Sequence, residues 1–415
     1  MSTQPHRLPL FGGTGVELEY MIVDAASLEV RPMSDELIRA MSGVIQSDVE
    51  RGPFCWSNEL VLHVIEFKTN GPAATLTGLA RGFQAEVVEA NRQLAAFGAR
   101  LMPSAMHPWM DPHTQTQLWP HEYSPVYEAY NRIFGCQGHG WSNLQSMHLN
   151  FPFNGNAEFG ALHAAIRALL PLLPALAASS PVMDGRVTGF LDNRLSVYRT
   201  NSARIPSITG RVIPEPCFTQ ADYERDILQR MYHDIAPHDP EGILQDEFLN
   251  SRGAIARFDR GSIEIRVLDI QECPAADVAI AQIVKATLQS LVAKRWEPLA
   301  QIQRLPMDTL EQIFLESCRL GEAARISDPQ YLSAFGWPYS RPATAVELWR
   351  WVLNDLTQNA LLEADTADVL RVILDHGTLA RRILRALGGD ESRHRLSEVY
   401  QRLCGCLAEG RLFRP

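Results

Sequence analysis

Residues Gly15-Val-Glu-Leu-Glu-Tyr-Met-Ile-Val-Asp24 read as a β-strand whose side chains alternate with a period of two. The apolar side chains between Val16 and Ile22 occupy one face of this strand, and Glu17 and Glu19 occupy the other. A solvated strand also carries two carboxylates in this way, so the pattern alone defines no site. Its meaning depends on the rest of the chain.

Three later segments, residues 61–69, 146–153 and 262–268, repeat the division between an apolar face and a polar face. Their polar-face residues are Glu66, His148, Asn150, Glu264 and Arg266. We therefore predict a sheet with one apolar face, which helices cover, and one face that carries the chemistry.

The composition is that of an ordinary globular protein, with 46% hydrophobic and 21% charged residues among 415. A net charge of −10 offers no surface to a polyanion, so no nucleic-acid partner is expected. No apolar run approaches the roughly 20 residues that span a bilayer, so no membrane is expected. Seven scattered cysteines, an odd number, indicate reduced thiols in the cytoplasm.

The chain divides into a tail, a main domain and a helical extension. Residues 1–10 lack a hydrophobic signal core and are interpreted as a disordered tail. Residues 11–300 hold all the polar-face strands and form the predicted main domain. Helical periodicity persists from residue 275 onward, and residues 301–415 are predicted to pack on the same domain as a helical extension.

Three irregular segments are candidate ligand sites. The glycine-rich turn 135–140 neither follows a strand nor opens a helix, so a phosphate loop is not expected there. Residues 109–123 contain histidines without a recognisable ligand spacing, and this loop is interpreted as a mobile cover over an active site. Residues 179–216 favour phosphate or carboxylate binding over a plain solvated loop, because they hold five arginines in an acidic chain. These are Arg186, Arg194, Arg199, Arg204 and Arg211.

Five carboxylates and one imidazole are available on or near the polar face, which exceeds the four ligands of a structural zinc site. They are Glu17, Glu19, Glu59, Glu66, His148 and Glu264. Oxygen ligands in this number fit two or three Mg²⁺ or Mn²⁺ ions, and such ions beside arginines suit phosphoryl transfer. Glu59 ends a predicted loop seven residues before Glu66, so it enters the site either from that loop or through a β-bulge.

Five motifs in this order resemble the glutamate–cysteine ligases, most closely the carboxylate–amine ligase branch known as the second glutamate–cysteine ligase family. The match spans roughly residues 10–300. The motifs are Gly15-x-Glu17-x-Glu19, Glu59 with Glu66-Phe67-x-Thr69, Met147-His148-x-Asn150, Ala178-Ser-Ser-Pro181 with Asp184-Gly-Arg-x-Thr-Gly189, and Gly261-Ser-Ile-Glu264-Ile-Arg266-Val-x-Asp269.

The resemblance implies an α+β, glutamine-synthetase-like fold: a curved antiparallel sheet that forms a half-barrel, with helices on its convex face. It also implies ATP-dependent formation of a γ-glutamyl amide from glutamate and an amine through an acyl phosphate. In that family the six residues named above hold Mg²⁺ or Mn²⁺, and Glu264 and Arg266 are implied as catalytic. Contacts to ATP and to the substrate carboxylate are implied for Arg194, Arg199, Arg204 and Asn150.

Two departures from the family pattern lie where the amine would bind, so the resemblance does not fix cysteine as the acceptor. Residues 146–150 read Ser-Met-His-Leu-Asn where the branch usually has His-Val-His-Val-Gly, and Asp192-Asn193 precede Arg194. A guanidino kinase of the same superfamily and a non-catalytic ATP- and metal-binding relative are the alternatives. The retained ligands favour an enzyme with small-molecule substrates, and chain length and family habit suggest a homodimer.

Overall fold

The computed structural model describes residues 7–415. Residues 1–6 of the predicted tail therefore lie outside the described residues. Residues 7–10 differ from that prediction, because they contact the main domain. The Arg7 guanidinium donates a hydrogen bond to the Phe258 carbonyl oxygen at 2.9 Å, and the Leu10 amide donates one to the Glu158 carboxylate at 2.7 Å.

Twelve strands are present in residues 7–415. They are β1 (Gly15–Asp24), β2 (Asp48–Arg51), β3 (Phe54–Asn58), β4 (Val64–Thr69), β5 (Ala99–Met102), β6 (Ser146–Pro152), β7 (Val182–Met183), β8 (Arg186–Val187), β9 (Ala254–Arg257), β10 (Ser262–Asp269), β11 (Arg325–Ile326) and β12 (Ala343–Thr344). Eight of them form one open antiparallel sheet in the order β2-β3-β4-β1-β6-β10-β9, with β5 paired to the second half of β1.

Helices make up most of the remaining structure. They are α1 (Ser34–Ser42), α2 (Leu79–Ala95), α3 (Pro112–Gln115), α4 (Ser124–Phe134), α5 (His139–Ser142), α6 (Gly155–Leu169), α7 (Pro174–Ala177), α8 (Asn193–Tyr198), α9 (Gln220–Tyr223), α10 (Gln229–Ile235), α11 (Pro274–Val292), α12 (Leu299–Gln303), α13 (Met307–Leu320), α14 (Pro329–Ala334), α15 (Ala345–Gln358), α16 (Ala364–His376), α17 (Leu379–Leu387) and α18 (Arg393–Glu409). Short 3₁₀ turns and one π turn, Glu224–Leu228, join some of them.

Strand β1 is the centre of the sheet, since it pairs with β4, β5 and β6. Its alternate residues from Val16 to Ile22 are fully buried in one core cluster, together with apolar residues of α2, α6 and α11. The predicted division of β1 into an apolar face and a polar face is therefore confirmed. The predicted α+β class is confirmed as well, since the antiparallel sheet is open and helices cover its apolar face.

The face of β1 that carries Glu17 and Glu19 becomes apolar after Glu19. Met21 and Val23 continue the alternation that starts at Glu17, and they are buried in a second cluster with Leu379 and Leu403. Helices α17 and α18 thus cover the end of the polar face, where β1 pairs with β5. The carboxylates lie on the part of this face that the C-terminal helices leave open.

Helix α11 has the length and apolar composition of a candidate membrane span. However, 72% of the relevant window is buried inside the fold. It packs against α2, α6 and α16, and its buried face belongs to the main core cluster. This helix is therefore a core element.

Two segments differ from their sequence-based predictions. The predicted loop at residues 54–59 begins as β3, which forms a hairpin with β2 around Gly52-Pro53, and Gly52 has a φ of 66°. The periodicity over residues 366–387 predicts a single helix, but the chain forms α16 and α17. Gly377 separates them with a φ of 83°, a backbone conformation that favours glycine.

Candidate active site

Strand register brings four of the six predicted ligands together. On β1, Glu17 lies opposite His148 of β6, and Glu19 lies opposite Glu66 of β4. Because opposite residues of an antiparallel pair project to the same face, all four side chains converge above the middle of the sheet. The alternation in the sequence is therefore sufficient to predict this part of the site.

A β-bulge brings the motif of β10 beside them. Glu264 lies opposite Asn150 of β6, but further along the strand Arg266 and Val267 together oppose the single residue His148. Bulges of this kind re-aim side chains and are frequent next to active sites. The Arg266 guanidinium donates through Nη2 to Oε1 of Glu264 at 2.5 Å.

Glu59 reaches the site from the loop 59–63 between β3 and β4, which decides between the two alternatives raised by the sequence. Residues 117–119 hold this loop in place. The Leu62 amide donates to the Gln117 carbonyl oxygen at 2.9 Å, and the Trp119 amide donates to the Leu60 carbonyl oxygen at 3.0 Å. The end of the segment interpreted as a mobile cover is thus a support for Glu59.

Short hydrogen bonds fix His148 and Glu19. The His148 ring lies 3.0 Å from Glu17 through Nδ1 and 2.8 Å from the Ser146 hydroxyl through Nε2. The Glu19 carboxylate accepts the Ser146 amide at 2.6 Å and the Ser146 hydroxyl at 2.9 Å. Ser146 stands where the family pattern has a first histidine, and here it orients both ligands.

Two groups of three ligand atoms are close enough to share a cation. Glu17, Glu66 and His148 form one group, and Glu19, Glu59 and Glu66 form the other, each with its atoms within 4.8 Å of one another. Carboxylate oxygens with one imidazole are ligands suited to Mg²⁺ or Mn²⁺. Among the described residues, Glu264 joins neither group; its Oε1 lies 3.6 Å from Nδ1 of His148 and is paired with Arg266.

Crowding of negative charge shifts the protonation of these groups. Burial and the charges of Glu19 and Glu66 raise the pKa of Glu59 well above its usual range, and burial with Glu17 raises the pKa of Glu66. Burial disfavours the charged form of His148, but the neighbouring carboxylates, Glu19 first, outweigh it and raise its pKa to about 9. The cluster therefore carries an excess of negative charge that a bound cation would relieve.

The cluster lines a cavity of about 370 Å³ that contains further residues the sequence reasoning missed. Lys68 follows Glu66 by two residues on the same face, so the alternation could have revealed it; its Nζ lies 3.3 Å from Glu66 and 2.8 Å from Asp48. The other missed residues come from helices and loops, which carry no alternation signal. They include Tyr127, Tyr130, Trp141, Tyr198, Asn201 and Phe248.

The arginines predicted to contact anions separate into two sets. Arg194 lines the cavity; its Nε donates to the buried carboxylate of Asp269 at 2.5 Å, and its Nη1 donates to the Arg266 carbonyl oxygen at 3.1 Å. Within the described residues, Arg199 and Arg204 are not among those lining this cavity. Arg204 is exposed and donates to the Ile133 carbonyl oxygen at 2.9 Å, which ties its loop to α4.

A second cavity of about 390 Å³ adjoins the first, and the two share Glu17, Lys68 and Arg260. Asn150 lines this second cavity and donates through Nδ2 to Glu17 at 2.9 Å. Its remaining wall is formed by the charged side chains of Arg7 and Asp259 and by short or apolar residues of the sheet edge and of the N-terminal segment. These include Leu8, Gly15, Thr69, Pro72 and Pro152. Asn150 therefore connects the carboxylate cluster with a neighbouring binding space.

Two solved structures share this fold. A glutamate–cysteine ligase of Francisella tularensis in complex with AMP matches with a TM-score of 0.58 and 14% identity, over 96% of this chain and 90% of that chain. A bifunctional glutathione synthetase of Pasteurella multocida matches with a TM-score of 0.63 and 13% identity, over 96% of this chain and 52% of that chain. At these identities the likeness establishes the shared fold.

The chain belongs to glutamate–cysteine ligase family 2, whose family model matches residues 14–402. An uncharacterized protein of Archaeoglobus fulgidus is 30% identical over 96% of this chain and 99% of its own length. A protein of Nocardia farcinica, provisionally named glutamate–cysteine ligase 2-1, is 25% identical over 95% of this chain and 93% of its own length. Family and names support a ligase of the glutamate–cysteine ligase type.

Proposed function

We propose that the protein is an ATP-dependent carboxylate–amine ligase that forms a γ-glutamyl amide. The observation that supports this most directly is a single cavity in which the carboxylates, the imidazole and two arginines meet. The members of that set are Glu17, Glu19, Glu59, Glu66, His148, Arg194, Glu264 and Arg266. Anion-binding cations beside ligands for divalent ions are what the transfer of a phosphoryl group requires.

The proposed reaction has two steps. An oxygen of the γ-carboxylate attacks the γ-phosphorus of ATP, so an O–P bond forms, the bond to the β-phosphate breaks and ADP leaves. The amine nitrogen then attacks the acyl carbon; a C–N bond forms, the bond to the phosphate oxygen breaks, and the departing phosphate takes up the proton of the amine. The chain's own part is to hold the two anionic substrates close and to exclude water.

The donor set of the cavity fits divalent ions. Glu17, Glu66 and His148 would hold one ion, and Glu19 and Glu59 would hold another together with Glu66. Bound Mg²⁺ or Mn²⁺ would neutralise phosphate charge, which lowers the cost of bringing a carboxylate close to ATP. The raised pKa values of Glu59 and Glu66 support this assignment, because a cation would restore their charged forms.

The guanidinium groups of Arg194, which is buried, and of Arg266, which is partly buried, are suited to bind substrate oxygens. Nη2 of Arg194 and Nε of Arg266 are buried and have no hydrogen-bond partner within residues 7–415. A buried donor without a partner is costly, so both groups are assigned to the phosphate or carboxylate oxygens of the substrates. Hydrogen bonds to carboxylates fix both guanidinium groups: Arg194 donates to Asp269, and Arg266 donates to Glu264.

The second cavity is proposed to take the base and ribose of the nucleotide. It opens to the carboxylate cluster at Glu17 and Lys68, so a nucleotide there would extend its phosphates toward the proposed ion sites. The AMP-bound structure of the Francisella ligase, which shares the fold, supports a nucleotide as a ligand. Asn150, on the wall between the two cavities, would contact the nucleotide on this proposal.

A guanidino kinase would stop at phosphoryl transfer and needs a cysteine at its reaction centre. No cysteine lies among the described residues that line either cavity. A ligase is therefore favoured over that alternative. We also propose a cytoplasmic location, since all seven cysteines lie in the described residues and are free and buried. The homodimer stays a prediction.

The test is release of ADP with Mg²⁺ and with Mn²⁺, at fixed glutamate, with hydroxylamine as a small nucleophile that captures an acyl phosphate as a hydroxamate. We expect metal-dependent release together with γ-glutamyl hydroxamate. Glu264→Ala should abolish both while the circular dichroism spectrum stays unchanged, whereas Glu391→Ala, at an exposed surface position, should act like the wild type. ATP binding without release or hydroxamate would favour a non-catalytic relative.

A further inference from the structure

The cavity has an aromatic wall whose function the ligase reaction does not define. Tyr127 and Tyr130 of α4, Trp141 of α5, and Phe248 line it together with Leu144. The rings of Tyr130 and Trp141 lie 5.3 Å apart between their centroids. This aromatic wall, Tyr127–Tyr130–Trp141, places aromatic rings beside a charged reaction centre.

Contacts around the glycine-rich turn build this wall. A side chain at Gly140 would lie 2.9 Å from the Val197 carbonyl oxygen, so α5 approaches the end of α8 as closely as only glycine permits. The Trp141 indole N–H donates to the backbone carbonyl oxygen of Asn201 at 2.9 Å. The side-chain amide of Asn201 donates to the Gly140 backbone carbonyl oxygen at 3.0 Å. The turn therefore serves to fix Trp141 in the cavity.

The aromatic wall borders the carboxylates directly. The Asn58 side chain, which immediately precedes Glu59, donates to the Tyr127 hydroxyl at 3.1 Å. A substrate that lies against this wall thus reaches the reaction centre without leaving the cavity.

Neither helix of the aromatic wall contributes a lysine or an arginine to the cavity. The lysine and arginines that line the cavity within the described part of the chain are Lys68, Arg194, Arg260 and Arg266, and none comes from α4 or α5. Arg194 and Arg266 are assigned to substrate and phosphate oxygens, Lys68 is paired with Glu66 and Asp48, and the exposed Arg260 lies 3.8 Å from Asp259. A carboxylate placed against the wall would therefore meet no cation from the wall itself.

We propose that the acceptor is a primary amine with an aromatic substituent and no carboxylate of its own, an arylalkylamine. This inference rests on the proposed ligase function and names the substrate class of the same site. The ring lies against Tyr127 and Trp141, and the neutral amine nitrogen faces the acyl phosphate. An amino acid such as cysteine lacks the aromatic ring that the wall would accommodate. It also carries a carboxylate, for which the wall provides no cation.

The experiment compares acceptors that differ in one feature each. With ATP, glutamate and metal, kcat/KM is measured for phenethylamine, for ethylamine, which lacks the ring, for phenylalanine, which adds a carboxylate, and for cysteine. Burial of the ring predicts that phenethylamine exceeds each of the others by about tenfold or more. Cysteine or phenylalanine as the better acceptor would overturn the inference.

The hydroxylamine reaction separates this inference from the ligase proposal. Hydroxamate formed without any preference for phenethylamine overturns the acceptor class and leaves the ligase function in place. Absence of hydroxamate, ADP release and every amide product overturns the ligase proposal itself, and the acceptor class with it.

A variant of the wall provides the second measurement. Trp141→Ala should raise KM for phenethylamine about tenfold and bring the ratio of phenethylamine to ethylamine close to one. Tyr339→Ala removes an exposed aromatic side chain remote from the cavity and serves as the matched control. An unchanged acceptor ratio in a folded Trp141→Ala protein would contradict the role of the wall.

Discussion

Arg266 shows how a single residue can serve two partners. Its Nη2 is bonded to Glu264, and its Nε is buried without a partner within the described residues. A guanidinium has this geometry because its donors lie in a rigid plane. Burial would disfavour its charge, but Glu264 outweighs burial and raises the pKa of Arg266, so the group remains a cation.

Arg266→Lys should therefore reduce kcat by roughly 10- to 100-fold, since one charge-assisted hydrogen bond of about 1.5–3 kcal/mol is lost while the charge remains. Steady-state ADP release measures this effect. Arg371→Lys, on the exposed surface of α16, is the matched control. An unchanged rate in the Arg266→Lys protein would remove this side chain from the reaction centre.

His163 makes the stability depend on pH far from the active site. Its ring is buried in α6 and stacks on Phe159 with 5.3 Å between centroids. Burial, with the charge of Arg167, lowers its pKa from 6.5 to about 3. Between about pH 6.5 and pH 3, the His163 imidazole therefore binds a proton in the unfolded chain but not in the folded chain. The free energy of unfolding falls as the pH drops through this window.

The free energy of unfolding of both proteins should fall when the pH drops from 7.5 to 5.0. We expect this fall to be about 2 kcal/mol smaller for His163→Phe than for the wild type, because the variant has no buried imidazole to protonate. Urea denaturation at both values measures the difference. Equal losses for the two proteins would show that this histidine is not held neutral.

Individual site residues could be predicted from the sequence when they lay on strands. Glu17, Glu19 and His148 follow the alternation, and register brings them together as expected. The cluster of arginines predicts an anion contact for Arg204, but a cluster in the sequence does not specify where each side chain lies. Arg204 is not among the residues that line the cavity. The residues of the aromatic wall were missed because helices and turns that meet only in three dimensions supply them.

At the scale of elements, helix α6 requires a glycine against a neighbouring loop. A side chain at Gly160 would overlap the carbonyl oxygen of Phe218. Gly405 in α18 has room for a side chain, since an added Cβ atom would have its nearest neighbours at 3.9 and 4.0 Å.

Gly160→Ala is expected to destabilise the protein by about 2 kcal/mol, because backbone must move to accommodate the methyl group. Gly405→Ala should instead stabilise it by roughly 0.5–1 kcal/mol through the higher helix propensity of alanine. Urea denaturation of both variants at pH 7.5 checks the pair. A stabilised Gly160→Ala protein would contradict the close packing of α6 on the loop.

Elements with a strong period were predictable, and the exceptions have physical reasons. The β2–β3 hairpin was missed because β3 is buried throughout, so its residues do not alternate. The bulge at Arg266 was missed because it depends on pairing with β6. The break at Gly377 lies within a continuous helical period; Gly377 has a positive φ, and the Thr378 side chain caps the start of α17.

At the scale of the whole molecule, a buried ion pair joins the C-terminal helices to the main domain. Arg382 of α17 and Glu272, which precedes α11, are both fully buried and paired. Phe413 completes the contact, since its amide donates to Glu272 at 3.1 Å and its carbonyl oxygen accepts from Arg382 at 2.8 Å. The family model extends to residue 402, so most of this helical region belongs to the family fold.

Arg382→Met should destabilise the protein by about 3–5 kcal/mol, because it leaves the Glu272 carboxylate buried without a counter-charge. Adding Glu272→Gln should recover part of this loss, since the neutral amide needs no cation and still accepts a hydrogen bond. Thermal unfolding of the single and double variants measures both effects. A double variant less stable than Arg382→Met alone would contradict the explanation by charge.

As a catalyst, the molecule is proposed to bring a substrate carboxylate to ATP at its carboxylate cluster, so that an acyl phosphate forms. The most direct measurement uses glutamate labelled with ¹⁸O in its γ-carboxylate, with ATP, metal and hydroxylamine, and mass analysis of the released phosphate. We predict one ¹⁸O atom transferred to each phosphate, because the carboxylate oxygen remains on phosphorus when the acyl bond breaks. Phosphate released with glutamate-dependent turnover but without the label would contradict the acyl-phosphate mechanism.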